Sequence, residues 1–287
     1  MALALAVNQL LSSGTHLVAK GTVGAIGPLS VALVRFTAAS AALLVHERAR
    51  GTPRFIERAD LPRFLLLGLL VVPINQGCFL FGLAWSTASH AALLYALTPL
   101  VVLLLARTLL AEGQVWSKLA GIVVAFTGVA AILTEKGIRR EAQVLAGDLL
   151  LLGAVIAWAL YTVLSKRLLT RYDPMAVTAW SIVAGTVFCL PAFAIPGAIP
   201  PLDRMTAPVV GGILYLSLGT SVIAYPLWMY ALKHLPATKV AVATNLQPVL
   251  TGVLSWIIFR EQFTPVFLLG ASLILAGVTW VVTRRAA

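Results

Sequence analysis

The sequence predicts an all-α integral membrane protein of ten transmembrane helices, arranged as two inverted five-helix repeats. Three observations carry this expectation. First, the 287 residues are 60% hydrophobic and 11% charged, with a mean hydropathy of +0.96, against about 45–50% apolar and about 25% charged in a soluble domain. Second, apolar windows bounded by Gly, Pro and charged clusters recur along the chain, each close to the roughly 20 residues that one bilayer crossing needs. Third, the second half of the chain repeats the first at a nearly constant offset.

The windows are 2–20, 28–46, 63–83, 90–110, 117–134, 148–167, 174–193, 208–231, 236–259 and 265–283. The loops 47–62, 135–147 and 194–207 are too short to fold alone. Asn8, Gln9, Ser12, Ser13 and His16 interrupt the first window, and no basic run precedes it, so it reads as a membrane helix with a polar face rather than a cleaved leader. Cys78 and Cys189 lie inside apolar stretches and read as packed thiols. No Cys/His spacing suggests a metal and no GxxxxGK[ST] stretch suggests a nucleotide, so no cofactor is expected.

The formal net charge of +11 comes from 21 Lys and Arg against 10 Asp and Glu. The cations sit in short connections, which fits the positive-inside rule better than nucleic-acid binding. With the N-terminus in the cytoplasm, inner loops hold 14 of them and outer loops 6. That bias predicts both termini in the cytoplasm. Arg35 falls within the second window and is expected to snorkel to the outer interface.

At an offset of 149, Leu97-Thr98-Pro99 meets Leu246-Gln247-Pro248, Glu112 meets Glu261, Gly121 meets Gly270 and Gly128 meets Gly277. Earlier in the chain the offset is 146, pairing Lys20 with Lys166 and Pro28 with Pro174. The repeats are therefore expected at 1–135 and 147–287, joined by a linker at 136–146. Five crossings per copy is odd, so the copies enter the membrane in opposite senses, an arrangement typical of transporters with a site at the midplane.

The run Phe81-Gly-Leu-Ala-Trp-Ser-Thr-Ala-Ser-His-Ala-Ala-Leu-Leu-Tyr95-Ala-Leu-Thr-Pro99, followed by Glu112, Gly121 and Gly128, resembles the EamA domains of the drug/metabolite transporter superfamily. Its second copy runs from Ala237 through Pro248 to Glu261, Gly270 and Gly277. The resemblance covers nearly the whole chain. It implies a ten-helix exporter of the bacterial inner membrane, acting on amino acids, including aromatic ones, or on other small metabolites, and not an enzyme.

The solute is expected to meet polar and aromatic groups on several helices. Asn8, Ser12 and His16 share one face of the first helix, continued by Lys20. A polar stripe facing lipid is costly, so it should face a cavity. The sixth helix offers Trp158 and Tyr161, the third Asn75, Gln76 and Phe79 beside Pro73, and the fourth Tyr95. The eighth offers Tyr225 and Trp228, and the ninth Asn245. Pro99 and Pro248, at matching positions, are the expected gating elements. None of the ten carboxylates falls at mid-membrane by these spans, which disfavours organic cations and favours a neutral or zwitterionic solute. The expected partners are therefore a small-molecule substrate and the bilayer, with no nucleic acid. Glu112 and Glu261 are expected to organise loops with Lys118 and Arg260. Gly121, Gly128, Gly270 and Gly277 read as a close packing of helices 5 and 10, or as a homodimer contact, with one monomer sufficient for transport. A sugar-phosphate or nucleotide-sugar exchanger is the alternative within transport.

Overall fold

The computed structural model describes residues 2–50, 56–110, 119–134, 142–260 and 262–283. Helices are the only regular structure among them. We label the helical segments α1 (Ala2–Ile26), α2 (Pro28–Ala49), α3 (Arg58–Trp85), α4 (Ala88–Leu110), α5 (Leu119–Thr134), α6 (Ala142–Leu168), α7 (Pro174–Ala194), α8 (Ala207–His234), α9 (Ala237–Ile258) and α10 (Pro265–Thr283). Among the described residues seven of these, α2, α3, α4, α6, α7, α8 and α9, are long and apolar enough to cross a bilayer. α1 is 25 residues long, and its Asn8, Gln9, Ser13 and His16 are all buried. It is a central helix, surrounded by α2, α3, α4, α8 and α9. Glu112, Lys118 and Glu261 lie outside the described residues.

Local chemistry sets where helices start and bend. Asp173 caps α7, accepting from the backbone N–H of Met175 (3.1 Å) and Ala176 (3.0 Å), with Pro174 at the first helical position. α3 widens to a π-helix over Leu70–Gln76, where Pro73 lacks an N–H. α8 widens likewise over Tyr215–Ala224, just before Pro226. α4 breaks after Tyr95 and resumes at Thr98, and the Thr98 hydroxyl donates to the Tyr95 carbonyl at 2.6 Å. That carbonyl is the one Pro99 cannot serve. α9 tightens to a 3₁₀ turn at Ala243–Asn245, ahead of Pro248.

Close helix crossings occur where two glycines meet. A Cβ on Gly82 of α3 would lie 2.7 Å from the Gly147 carbonyl oxygen of α6. A Cβ on Gly128 of α5 would lie 2.6 Å from the Gly270 carbonyl oxygen of α10, and one on Gly277 would lie 2.6 Å from the Ala125 nitrogen. The α5 and α10 glycines are thus used within one chain, packing these two helices together.

Several contacts recur at the offsets seen in the sequence. Lys20 donates to the carbonyls of Leu83 (2.8 Å) and Ser86 (2.5 Å) at the end of α3. Lys166 donates to those of Leu232 (2.7 Å) and Leu235 (2.5 Å) at the end of α8. The lysines are 146 residues apart and each carbonyl pair 149 apart. Likewise Asn75 Nδ2 donates to Ala154 O at 2.7 Å, and Asn8 Nδ2 to Ala224 O at 2.8 Å. Position 154 is 8 advanced by 146, and 224 is 75 advanced by 149.

Two expectations about charge are corrected. Arg35 does not snorkel: it is 0% exposed, and its Nε donates at 3.1 Å to the Leu216 carbonyl in the π segment of α8, an oxygen that the Ser221 hydroxyl also meets at 3.1 Å. α6 begins at Ala142, six residues before the expected start, so Asp148 lies inside a helix and is buried. There it accepts from the Ser86 hydroxyl and meets His90 Nδ1 at 2.9 Å, with Phe267 stacked on the imidazole.

Candidate functional site

A cavity between α1, α3, α4, α6, α8 and α9 holds about 510 Å³ of empty space, mouth included, and narrows between its rings. The narrow part has room for a few waters, so a larger solute must part the ring faces to enter.

The walls are aromatic on two sides. Phe79 and Tyr95 stand 5.8 Å apart, each edge-on to the His16 ring at 5.5 and 5.4 Å. Across from them Trp158 contacts Tyr225 (5.0 Å) and Trp228 (5.7 Å). The Trp228 indole N–H donates to Thr162 Oγ1 at 3.2 Å, which fixes its ring. Between the aromatic walls run two amide chains. In one, Gln247 Oε1 meets His16 Nε2 at 3.2 Å, and Gln247 Nε2 donates to Gln9 Oε1 at 2.8 Å. Gln9 Nε2 donates to Asn8 Oδ1 at 2.8 Å, and Asn8 ends the chain on the α8 backbone. In the other, Arg35 Nη1 donates to Gln76 Oε1 at 2.7 Å, and Gln76 Nε2 to Asn75 Oδ1 at 2.6 Å. Asn75 Nδ2 ends on Tyr95 Oη (2.9 Å) and the α6 backbone. Both chains are adjacent Asn-Gln pairs whose Asn ties a central helix to a π segment or its neighbour. Fully paired amides of this kind hold a cavity's shape rigidly.

The cavity brings together Asn8, Ser12, His16, Asn75, Gln76, Phe79, Tyr95, Trp158, Tyr225 and Trp228. Tyr161 is not on the wall: it is fully buried behind Trp158, at 5.5 Å. Asn245 is also off it, because the 3₁₀ turn at 243–245 shifts the register and presents Thr244 and Gln247 instead. Lys20, the end of the polar stripe, serves the α3 carbonyls rather than the cavity. Thr15 and Thr220, joined at 2.8 Å, also line the cavity and were not singled out in the sequence. Thr15 is adjacent to His16, so an i, i+4 stripe one residue wider includes it. Thr220 carries no such signal. Pro99 and Pro248 stand beyond the helix breaks and do not line the cavity.

The EamA-like transporter family profile matches the chain twice, over residues 1–134 and 145–283. The chain belongs to this family, and it is a multi-pass membrane protein. An uncharacterized transporter of Bacillus subtilis, YyaM, is 28% identical over 94% of this chain and 89% of its own length. A protein of Streptantibioticus cattleyicolor named as a probable terminal-alkyne amino-acid exporter is 30% identical, covering 90% of this chain and 85% of its own. A crystal structure at 20% identity superposes with a TM-score of 0.71, over 97% of this chain and 94% of that one, and shares its fold.

Proposed function

We propose that the chain is a secondary transporter that exports small neutral or zwitterionic metabolites, foremost neutral and aromatic amino acids, by alternating access. The observation that carries this reading is the cavity wall: rings on two sides, hydroxyls and amides between them, and, among the described residues, no Asp, Glu, Lys or Arg. A flat side chain stacks between such rings, and the polar end of the solute meets hydroxyls. The amino-acid export named for the Streptantibioticus cattleyicolor relative points the same way. A sugar-phosphate exchanger would need several cations on the wall, and the lining has none.

Within the same reading the chain crosses the bacterial inner membrane ten times, with both termini in the cytoplasm and inverted repeats at 1–135 and 147–287. The lysine clamps and the Asn contacts at paired offsets support the repeat. The helix breaks ahead of Pro99 and Pro248 support these prolines as the bending points of α4 and α9.

The test is counterflow of labelled phenylalanine, leucine and glycine in proteoliposomes. The unmodified chain should move all three, and Trp158→Ala should slow phenylalanine several-fold more than glycine. Equal loss for each solute would assign Trp158 to packing. No movement of any amino acid overturns the substrate class.

A further inference from the structure

Arg35 is a charge without a counter-ion. Its guanidinium stays protonated, and the residue is 0% exposed in α2. Nε donates to Leu216 O (3.1 Å) and Ser221 Oγ (3.2 Å), and Nη1 to Gln76 Oε1 (2.7 Å). The Phe36 ring centroid lies 4.7 Å from its central carbon. Nη2 has no partner. Among the described residues Arg35 forms no ion pair, and the titratable groups beside it are the phenols of Tyr225, whose hydroxyl is also a hydrogen-bonding neighbour of the guanidinium, and of Tyr95.

Two buried carboxylates, Asp60 and Asp148, are treated differently. Asp60 is held by Arg63 and Arg171 at 2.5 Å each and by the Tyr172 hydroxyl at 3.1 Å. Asp148 has Ser86 and His90. A buried charge is costly unless an opposite charge meets it. Arg35 sits one side chain behind the cavity wall, separated from it by Gln76 and Tyr225.

We propose that a carboxylate on the solute is the counter-ion of Arg35, so that the site takes solutes bearing one carboxylate and rejects amines that lack one. The inference rests on the transport reading above and names the feature its substrates share. A carboxylate entering beside Gln76 takes over Nη1 from the Gln76 amide and meets Nη2, the fork geometry that guanidinium offers planar anions. One cation matches one carboxylate and leaves a phosphate dianion half compensated. An α-amino acid fits, with its ammonium toward the ring faces.

The experiment is calorimetric titration of the purified full chain with three probes that share a ring and differ in charge: 3-phenylpropionate, 3-phenylpropanamide and 3-phenylpropylamine. The unmodified protein should bind the anion at least tenfold tighter than the amide, with the amine weakest. Arg35→Gln should bind anion and amide alike, and its retained amide binding shows that the cavity is intact. Arg35→Lys should keep an anion preference. An unmodified protein that binds the amide or amine as well as the anion, or that does not bind the anion, overturns the proposal whether or not the variants fold. An Arg35→Gln protein that keeps the full anion preference overturns it too. Arg35-dependent anion binding without amino-acid counterflow would instead overturn the transport reading and leave this assignment standing. Phenylalanine counterflow with indifferent probe binding would do the reverse.

Discussion

The interfaces α3/α6 and α1/α8 correspond by the offsets of 149 and 146, yet their far ends are built differently. At one end of α3, Arg171 reaches Glu57 and Asp60 at 2.5 Å each, and Tyr172 adds its hydroxyl to Asp60 and its ring to Phe64 at 5.3 Å. Moved by the offsets, Arg171 becomes Ala25, Glu57 becomes Thr206 and Asp60 becomes Val209. Those three residues line an open groove of about 860 Å³ between α1 and α8. Lys20 and Ser86 mark the end of α3 nearer that groove, while Asp60 starts α3 at the opposite end. One end of the central pair of interfaces is latched by charge, and its counterpart has small residues and space. Two copies of one design can therefore keep the same helix contacts near the middle and diverge where the halves separate at the surface.

The largest effect tests what the two interfaces share. Lys20→Met and Lys166→Met each remove a charged donor from two helix-end carbonyls, a loss of about 3 kcal/mol. Thermal unfolding in detergent should fall equally for both, and a difference above about 1 kcal/mol would break the equivalence of the clamps. The next test concerns the latch. Asp60 is 0% exposed while Arg171 is partly solvated, so Asp60→Asn should cost about 2 kcal/mol, between surface and buried pairs. That shifts the closed-to-open ratio about thirtyfold and should raise amide hydrogen exchange over residues 56–64 while leaving 207–215 unchanged. Exchange that stays slow at 56–64 sinks the latch. A smaller effect comes from building the latch where it is absent. Ala25→Arg combined with Val209→Asp should slow counterflow about fivefold beyond the product of the single variants, a coupling of about 1 kcal/mol. Purely multiplicative behaviour would mean the two ends do not correspond. The smallest is Arg50→Gln. Arg50 is 49% exposed, at 3.5 Å from Asp173, and its loss should change stability by less than about 0.5 kcal/mol.

Much of the fold was legible in the sequence because bilayer crossing imposes length and hydropathy together. The apolar windows locate the helices to within a few residues, apart from the end of α1, which runs six residues further, and the starts of α3 and α6. Those two begin five and six residues early, and near their starts lie Asp60 and Asp148, charges that a hydropathy window rejects and that neighbouring Arg, Ser and His side chains make tolerable. The polar stripe on α1 and the rings of α3, α4, α6 and α8 were legible as site candidates, since such groups are costly against lipid. Asn245 and Tyr161 were not separable from true wall residues. A 3₁₀ turn moves one, and the layer behind Trp158 holds the other, and neither is written in spacing. The burial of Arg35 follows from a π-helical carbonyl on α8, a partner 181 residues away.

The π segments also have a consequence for rotational phase. A π turn carries one residue more than an α turn, so each stretch delays everything after it by about 100° around the helix axis. Phe79 and Gly82 follow the one at Leu70–Gln76, and Trp228 follows the one at Tyr215–Ala224. Removing a single residue from either stretch would let the helix relax to ordinary winding with its far half left in phase, whereas rewinding the stretch at unchanged length would turn the far half by that angle. In α3 this would carry Phe79 off the cavity wall and Gly82 away from Gly147. A chain rewound there without losing a residue keeps its composition and hydropathy, and loses the alignment of ring to cavity and of glycine to glycine.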